Sequence, residues 1–219
     1  MANNYYDATG VLVLDRVTPV ITALFGGFKL DASHPGDGQA YIALVAEDNN
    51  PSWEDLCEGL SELATSLGLP LPDDSQTVEP LLASLSLHFG ADQDEALAHL
   101  IEHHQFEDAA DLDALFLIAT RFDDGHGLQE IRFEGCWHCS KPRLFNFGGD
   151  AQFFSKEFEA FSASSQTLQF GDAVRQGLLK QDLEAVANHF TREVRRLLAG
   201  IQDESVRTQT QQRLAALLQ

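Results

Sequence analysis

Cys136 and Cys139 are separated by two residues with His138 among them, a spacing typical of thiol redox pairs and of half a zinc site. An imidazolium beside a thiol stabilises the thiolate and lowers its pKa. Zinc would need two more ligands, and the candidates are Cys57, His126 and His138 itself, none of which has ligand-like spacing. The group therefore has two chemical interpretations, a thiol redox centre and a zinc site.

The strand that we predict over residues 128–138 limits both interpretations. Side chains alternate between the two faces of a strand, so Cys136 and Cys139 point in opposite directions if the strand is regular. Only a bulge at Gly135 or an early turn would bring the two thiols together. A structural or incidental role is thus the third interpretation of this group.

A second group, His99, Glu102 and His103, has the H-x-x-E-H spacing of inverted zinc peptidases. Over these residues the chain resembles the insulinase-like metallopeptidases. The resemblance implies that the two histidines bind zinc, that Glu102 is the general base, and that a downstream glutamate such as Glu184 is the third ligand.

The helix predicted over residues 94–104 places this second group on an exposed face. Leu97, Leu100 and Ile101 define the buried side of the helix at 100° per residue. His99 and His103 lie almost opposite to that side. The pattern indicates a solvated surface rather than a closed cleft.

The net charge of -20 lies entirely in residues 1–124, which contain 23 acidic residues and only three basic ones. Residues 30–120 contain no Lys or Arg and 19 carboxylates. Such a surface repels nucleic acid and anionic membranes and attracts basic surfaces. It predicts either an acidic docking face for a basic protein or a surface kept soluble by charge.

The exposed faces of two predicted helices, over residues 53–67 and 94–104, define the candidate docking face. Six carboxylates lie opposite the apolar stripes of these helices: Glu54, Asp55, Glu58, Glu62, Glu95 and Glu102.

Composition indicates a folded protein of the cytoplasm. The hydrophobic fraction of 44% is enough for a sizeable core, and no run of about 18 apolar residues predicts a membrane span. The first residues do not resemble a secretory signal, and three cysteines fit reduced thiols better than a disulfide framework. We expect no cofactor apart from the zinc considered above.

The order of predicted elements is β-α-β-β-α-α-α-β-β-β followed by helices, which predicts an α+β fold. It matches a ferredoxin-like βαββαβ core with inserted helices, an extended antiparallel sheet and C-terminal helices. The predicted strands cover residues 11–14, 28–31, 40–46, 115–122, 128–138 and 151–163. We expect one domain over residues 1–219, with a division into 1–163 and 164–219 as the alternative. The C-terminal helices could pack on the sheet or form a dimer seam.

Three stretches resemble uncharacterised accessory proteins of bacterial integrating conjugative elements: residues 15–26 (DRVTPVITALFG), 112–127 (LDALFLIATRFDDGHG) and 134–141 (EGCWHCSK). The resemblance implies a mobile-element context and no particular activity. Our leading hypothesis is a non-enzymatic acidic accessory protein that docks a basic, DNA-binding partner as a DNA mimic. The alternatives are a thiol or metal enzyme at Cys136, His138 and Cys139, and a zinc hydrolase at His99, Glu102 and His103.

Overall fold

The computed structural model describes residues 4–70, 77–141 and 147–218 and mixes helices with antiparallel strands, which confirms the α+β class. The chain divides into two compact units. We call residues 6–131 the acidic unit, which has 24 carboxylates and three Lys or Arg. We call residues 1–5 and 132–219 the neutral unit, which has 10 carboxylates and 11 Lys or Arg. This boundary lies earlier than the alternative at 163/164, and a single domain stays a prediction.

The described residues of the acidic unit combine three strands with five helices. Strand β1 begins in the neutral unit and enters this one, and strand β4 begins here and continues into the other. The elements are β1 (Asn4–Val13), α1 (Pro19–Phe25), a 3-10 turn (Gly26–Phe28), β2 (Asp31–Pro35), β3 (Gln39–Leu44), α2 (Trp53–Ser66), α3 (Val78–Phe89), α4 (Glu95–His103) and α5 (Leu112–Arg121). The three strands follow the order β2-β3-β1, and β3 pairs antiparallel to both neighbours.

Helix α2 begins where the sequence predicts, because Ser52 and Asp55 form a capping box. The Asp55 N–H donates to Ser52 Oγ at 3.2 Å, and the Ser52 N–H donates to Asp55 Oδ2 at 2.8 Å. Gly59 then lets α2 approach α1 closely, since a Cβ at this position would lie 2.8 Å from the Ala23 carbonyl oxygen. The capping box thus fixes where α2 begins, and Gly59 allows its middle to pack closely on α1.

The end of the acidic unit closes onto its beginning. The Asp15 N–H donates to the His126 carbonyl oxygen at 2.8 Å, and the Gln129 N–H donates to that of Val13 at 2.8 Å. The Val20 N–H donates to Asp124 Oδ2 at 3.1 Å across a separation of 104 residues. Segments near the two ends of the unit are thus joined by hydrogen bonds.

The neutral unit contains strands in the order β4-β5-β6, followed by three helices. Its elements are β4 (Glu130–Cys139), β5 (Gly148–Ser155), β6 (Glu159–Ala163), α6 (Ser164–Leu179), α7 (Leu183–Ala199) and α8 (Glu204–Leu217). β5 and β6 pair antiparallel from Asp150 opposite Ala163 to Phe154 opposite Glu159. Gly200 follows α7 so closely against β6 that a Cβ there would overlap the Glu159 carbonyl oxygen.

The strand predicted over residues 115–122 is wrong, because this segment lies in helix α5. Six of its ten residues are buried and the run 114–119 is apolar without interruption, although Asp113, Thr120 and Arg121 mark a polar side of the helix. A short apolar run of this kind does not separate a buried helix from a buried strand. The turn at residues 123–127 therefore joins a helix to β4.

Two further strand predictions are corrected. Residues 28–31 are split between the 3-10 turn and the start of β2, and residues 151–163 form most of the β5–β6 hairpin rather than one strand. Strand β1 is longer than the predicted 11–14. No helix of the described residues has the length and apolarity needed to cross a membrane.

Candidate acidic docking site

A groove of about 740 Å³ lies in the acidic unit between α2, the start of α3 and the segment after α4. Four carboxylates line it, and its described lining contains no Lys, Arg or His. We call it the acidic groove; its lining residues are Trp53, Glu54, Cys57, Glu58, Ser61, Thr77, Val78, Glu79, Gln105, Phe106 and Glu107. Glu54, Glu58 and Glu107 are exposed, so their charges face solvent at the rim.

One wall of the groove is a cluster of rings held by hydrogen bonds. The Phe106 ring lies 4.8 Å from that of Trp53 and 4.4 Å from that of His104, measured between centroids. His104 Nδ1 accepts from the Phe106 N–H at 2.9 Å, which leaves the hydrogen on Nε2 to be donated to Asp111 Oδ2 at 3.1 Å. The cluster fixes the segment after α4 in one arrangement.

Backbone pairing attaches the same segment to the start of α2. The Trp53 N–H donates to the Asp108 carbonyl oxygen at 3.1 Å, and the Ala110 N–H donates to that of Pro51 at 3.0 Å. Phe106 has φ 47° and Asp108 has φ 60°, a left-handed conformation that is uncommon for residues other than glycine and costly for a bulky aromatic. The backbone pairing thus holds this segment in a strained conformation that places Phe106 in the groove lining.

Cys57 lies buried at the floor of the groove. Burial and then the negative charges of Glu79 and Glu54 raise the pKa of its thiol, because each of them disfavours the thiolate. The thiol is therefore neutral near pH 7 and a poor nucleophile. Its ionisation reports the electrostatic potential of the groove.

All six carboxylates of the predicted docking face are exposed. Of these, Glu54 and Glu58 line the groove. Asp55 is occupied locally, since hydrogen bonds from Ser52 hold the pKa of its carboxyl below the usual range. The other three, Glu62, Glu95 and Glu102, are exposed outside the described groove lining.

Sequence reasoning missed Glu79, Phe106 and Glu107 as members of one site. Glu79 is in the first turn of α3, and the other two follow α4, so no local spacing connects them. The available signal was the long run without Lys or Arg, which marks the region but not the residues.

The two cysteines of the C-x-x-C group lie in β4 with opposite environments. Cys136 is exposed, Cys139 is buried, and neither forms a disulfide. His138 between them stacks on Tyr5, with ring centroids 5.2 Å apart and an angle of 26° between the planes. This placement fits the alternation expected of a strand.

The H-x-x-E-H residues are all exposed on α4, as the helix register predicts, whereas Leu97 is buried. The rings of His99 and His103 lie 4.4 Å apart between centroids, and His103 Nε2 lies 3.8 Å from Glu102 Oε2. Glu184, the proposed third ligand, is exposed in the first turn of α7.

His126 is buried, and both of its ring nitrogens are used within the acidic unit. Nδ1 accepts from the Leu128 N–H at 2.8 Å, and Nε2 donates to the Ala119 carbonyl oxygen at 3.1 Å. Across residues 4–70, 77–141 and 147–218, no three His, Cys, Asp or Glu side chains are grouped so as to hold a metal ion.

No family model, curated protein or solved structure matches this chain.

Proposed function

We propose that this chain is a non-enzymatic binding protein whose acidic groove takes a basic segment of a protein partner. The observation that carries the proposal is a groove with four carboxylates and no cation in its described lining, set in a unit with 24 carboxylates and three Lys or Arg. A Lys-rich or Arg-rich segment supplies the charges that this surface lacks.

The groove suits cationic side chains in a second respect. Phe106 and Val78 add apolar atoms to its lining, and Lys and Arg place their methylene stems on such atoms while the charged ends stay in water. Exposed ion pairs contribute only about 0–1 kcal/mol each. Affinity therefore depends on several pairs together, and the charge of the unit mainly raises the association rate.

DNA-binding proteins are the class of partner that we propose. Their binding surfaces carry Lys and Arg arranged to neutralise phosphates. An acidic protein that occupies such a surface acts as a DNA mimic, which is a role that suits an accessory protein of a mobile element. The proposal requires no cofactor, so stoichiometric zinc in the purified protein would contradict it in favour of the Cys136, His138 and Cys139 alternative.

The test measures binding of a short fluorescent peptide rich in Lys and Arg by anisotropy at about 50 and about 200 mM salt. The groove variant is Glu54→Gln, Glu58→Gln and Glu107→Gln, and the matched control is Glu62→Gln, Glu95→Gln and Glu102→Gln. Both remove three exposed charges from the same unit.

The groove variant should lose about 1.5 kcal/mol, which is a roughly tenfold increase in Kd, while the control should change Kd less than about threefold. An equal loss in both variants would show that only the overall charge matters. A DNA-binding protein that binds the chain should then be released by duplex DNA, and simultaneous binding of both would contradict the mimic.

For the fold, we propose the ferredoxin-like arrangement as the finer description. The order β2-β3-β1, with α1 and α2 in the predicted chain positions, supports it, and α3, α4 and α5 are then the inserted helices. We also propose a cytoplasmic location, which is supported by three cysteines without a disulfide.

A further inference from the structure

Helix α7 carries an apolar stripe whose members are spaced alternately by four and three residues. We call it the α7 stripe; its residues are Leu183, Ala187, Phe190, Val194 and Leu197. This is the heptad spacing by which one helix packs along another in a coiled coil.

Most of the side chains of the stripe are exposed. Leu183 is 73% exposed, Phe190 51% and Leu197 50%. Its own chain covers the helix only in part: Arg196 donates to the Phe161 carbonyl oxygen at 2.7 Å, Leu198 is buried, and the Phe190 ring lies 5.1 Å from that of Phe170 on α6. An amphipathic helix usually packs through its apolar side, so the exposed part of the stripe is available to a second helix.

The surroundings of the stripe are also apolar and close to neutral. With the exception of Leu87, every large apolar side chain exposed among the described residues belongs to the neutral unit. The ring of Phe170 on α6 lies 5.1 Å from that of Phe190 and extends the apolar surface sideways. Apolar patches of this kind mark interaction sites.

The formal charges of the two units favour a second copy of this chain as the partner of the stripe. The acidic unit, at a formal charge of -21, repels a second copy of itself, whereas the neutral unit, at +1, does not. Two copies can therefore meet through the neutral unit without large electrostatic cost. Isologous pairing of the same patch is also the commonest symmetry of soluble dimers.

The charges along α7 also select the direction of pairing. Asp182 and Glu184 stand at its first turn, and Arg192, Arg195 and Arg196 at its end. Antiparallel helices place the acidic end of each copy beside the basic end of the other and align the helix dipoles favourably. Parallel helices would place like charges together.

We propose that two copies of this chain form a dimer through the α7 stripe, with the two helices antiparallel and Phe190 at the two-fold axis. Leu183 of each copy then lies against Leu197 of the other. The small Ala187 leaves room beside the Phe190 rings.

Sedimentation equilibrium of the full chain under reducing conditions tests the dimer. We expect a concentration-dependent dimer, and Leu183→Glu should raise the dimer Kd by roughly 30-fold or more because a charge would enter the seam. The matched control is Leu217→Glu on α8, which changes a side chain of similar exposure, 68%, outside the stripe. Circular dichroism confirms that both variants keep their helices, as expected for exposed positions.

A disulfide test fixes the direction, in a Cys136→Ser background. Leu183→Cys and Leu197→Cys chains should form a mixed disulfide with each other, since positions 183 of the two copies would lie about 21 Å apart along antiparallel helices. Disulfides only between identical variants would overturn the antiparallel arrangement. A wild-type monomer at every concentration, with or without binding of the stripe to vesicles, or an unchanged dimer in Leu183→Glu, would overturn the dimer.

Discussion

The acidic unit and the neutral unit differ in where their apolar side chains lie. Nearly all of the buried apolar side chains among the described residues are in the acidic unit, and the neutral unit contributes Phe133, Cys139 and Leu198. The exposed large apolar side chains have the reverse distribution. A deep core allows the acidic unit to carry a charge of one sign, and we assign the shallow neutral unit to association between copies.

Truncation of one leucine in each unit should give the largest difference in unfolding free energy between the units. Leu82→Ala in α3 should lower the free energy of unfolding by about 2–5 kcal/mol, because the side chain is fully buried and leaves a cavity. Leu183→Ala in α7 should change it by less than about 0.5 kcal/mol when the protein is monomeric. Urea unfolding followed by tryptophan fluorescence measures both values, and equal losses would remove the distinction between the units.

Two glycines of the neutral unit lie in contrasting surroundings, Gly200 in close packing and Gly171 in open space. Gly200→Ala should cost about 2 kcal/mol or more, because its methyl group would overlap the Glu159 carbonyl oxygen. Gly171→Ala has open space around it in α6 and should stabilise by roughly 0.5–1 kcal/mol through helix propensity. Opposite shifts in Tm are expected, and a tolerated Gly200→Ala would contradict the tight junction between α7 and β6.

Asp94→Asn tests the charges that the acidic unit uses for its own stability. Asp94 caps α4 through the Leu97 N–H at 2.9 Å and pairs with Arg121 of α5 at 2.6 Å. Partial burial alone would raise the pKa of its carboxyl, but these hydrogen bonds and the Arg121 charge outweigh burial and lower it. We expect a loss of about 1 kcal/mol at pH 7, with Asp92→Asn as the exposed control.

The lowered pKa of Asp94 sets the direction in which its contribution to stability changes with pH. The stabilisation is fully present above the pKa of the unfolded chain and is lost as the pH falls through the lower folded-state pKa. The difference in stability between wild type and Asp94→Asn should therefore shrink on acidification below about pH 4. A constant difference down to acidic pH would exclude the ionised carboxylate as its origin.

The smallest effect concerns the thiol under the acidic groove. In a Cys136→Ser background, Glu54→Gln with Glu79→Gln should lower the pKa of Cys57 and increase its alkylation rate roughly threefold at a fixed pH, because less negative charge then opposes the thiolate. A protein that also carries Cys57→Ser gives the background from buried Cys139. An unchanged pH profile would mean that burial alone sets the thiol pKa.

Local patterns predicted the helices best. The helices predicted over residues 53–67 and 94–104 form α2 and α4 with nearly the same bounds. Helix α5 was misread because the uninterrupted apolar run 114–119 resembles a buried strand. Strand β1 extends back to Asn4 through a polar and aromatic segment that has no continuous alternation of its own.

The candidate site was only partly predictable because it is assembled from distant segments. Register on α2 gave Glu54 and Glu58, but Glu107 belongs to the groove only because Phe106 and Asp108 adopt left-handed backbone conformations. Those conformations depend on tertiary pairing with Pro51 and Trp53, which no local propensity encodes. The C-terminal helices were expected from the sequence, but the exposure of the α7 stripe was not.

The hydrogen bond from Val20 to Asp124 also has a consequence for the order of folding. Closing a loop of 104 residues costs about 4 kcal/mol of chain entropy before the contact contributes anything. During synthesis, β1 cannot receive its bond from Gln129 until that residue has left the ribosome. Strand β1 therefore completes its contacts among the last of this unit, and the acidic unit should fold more slowly than its helical content suggests.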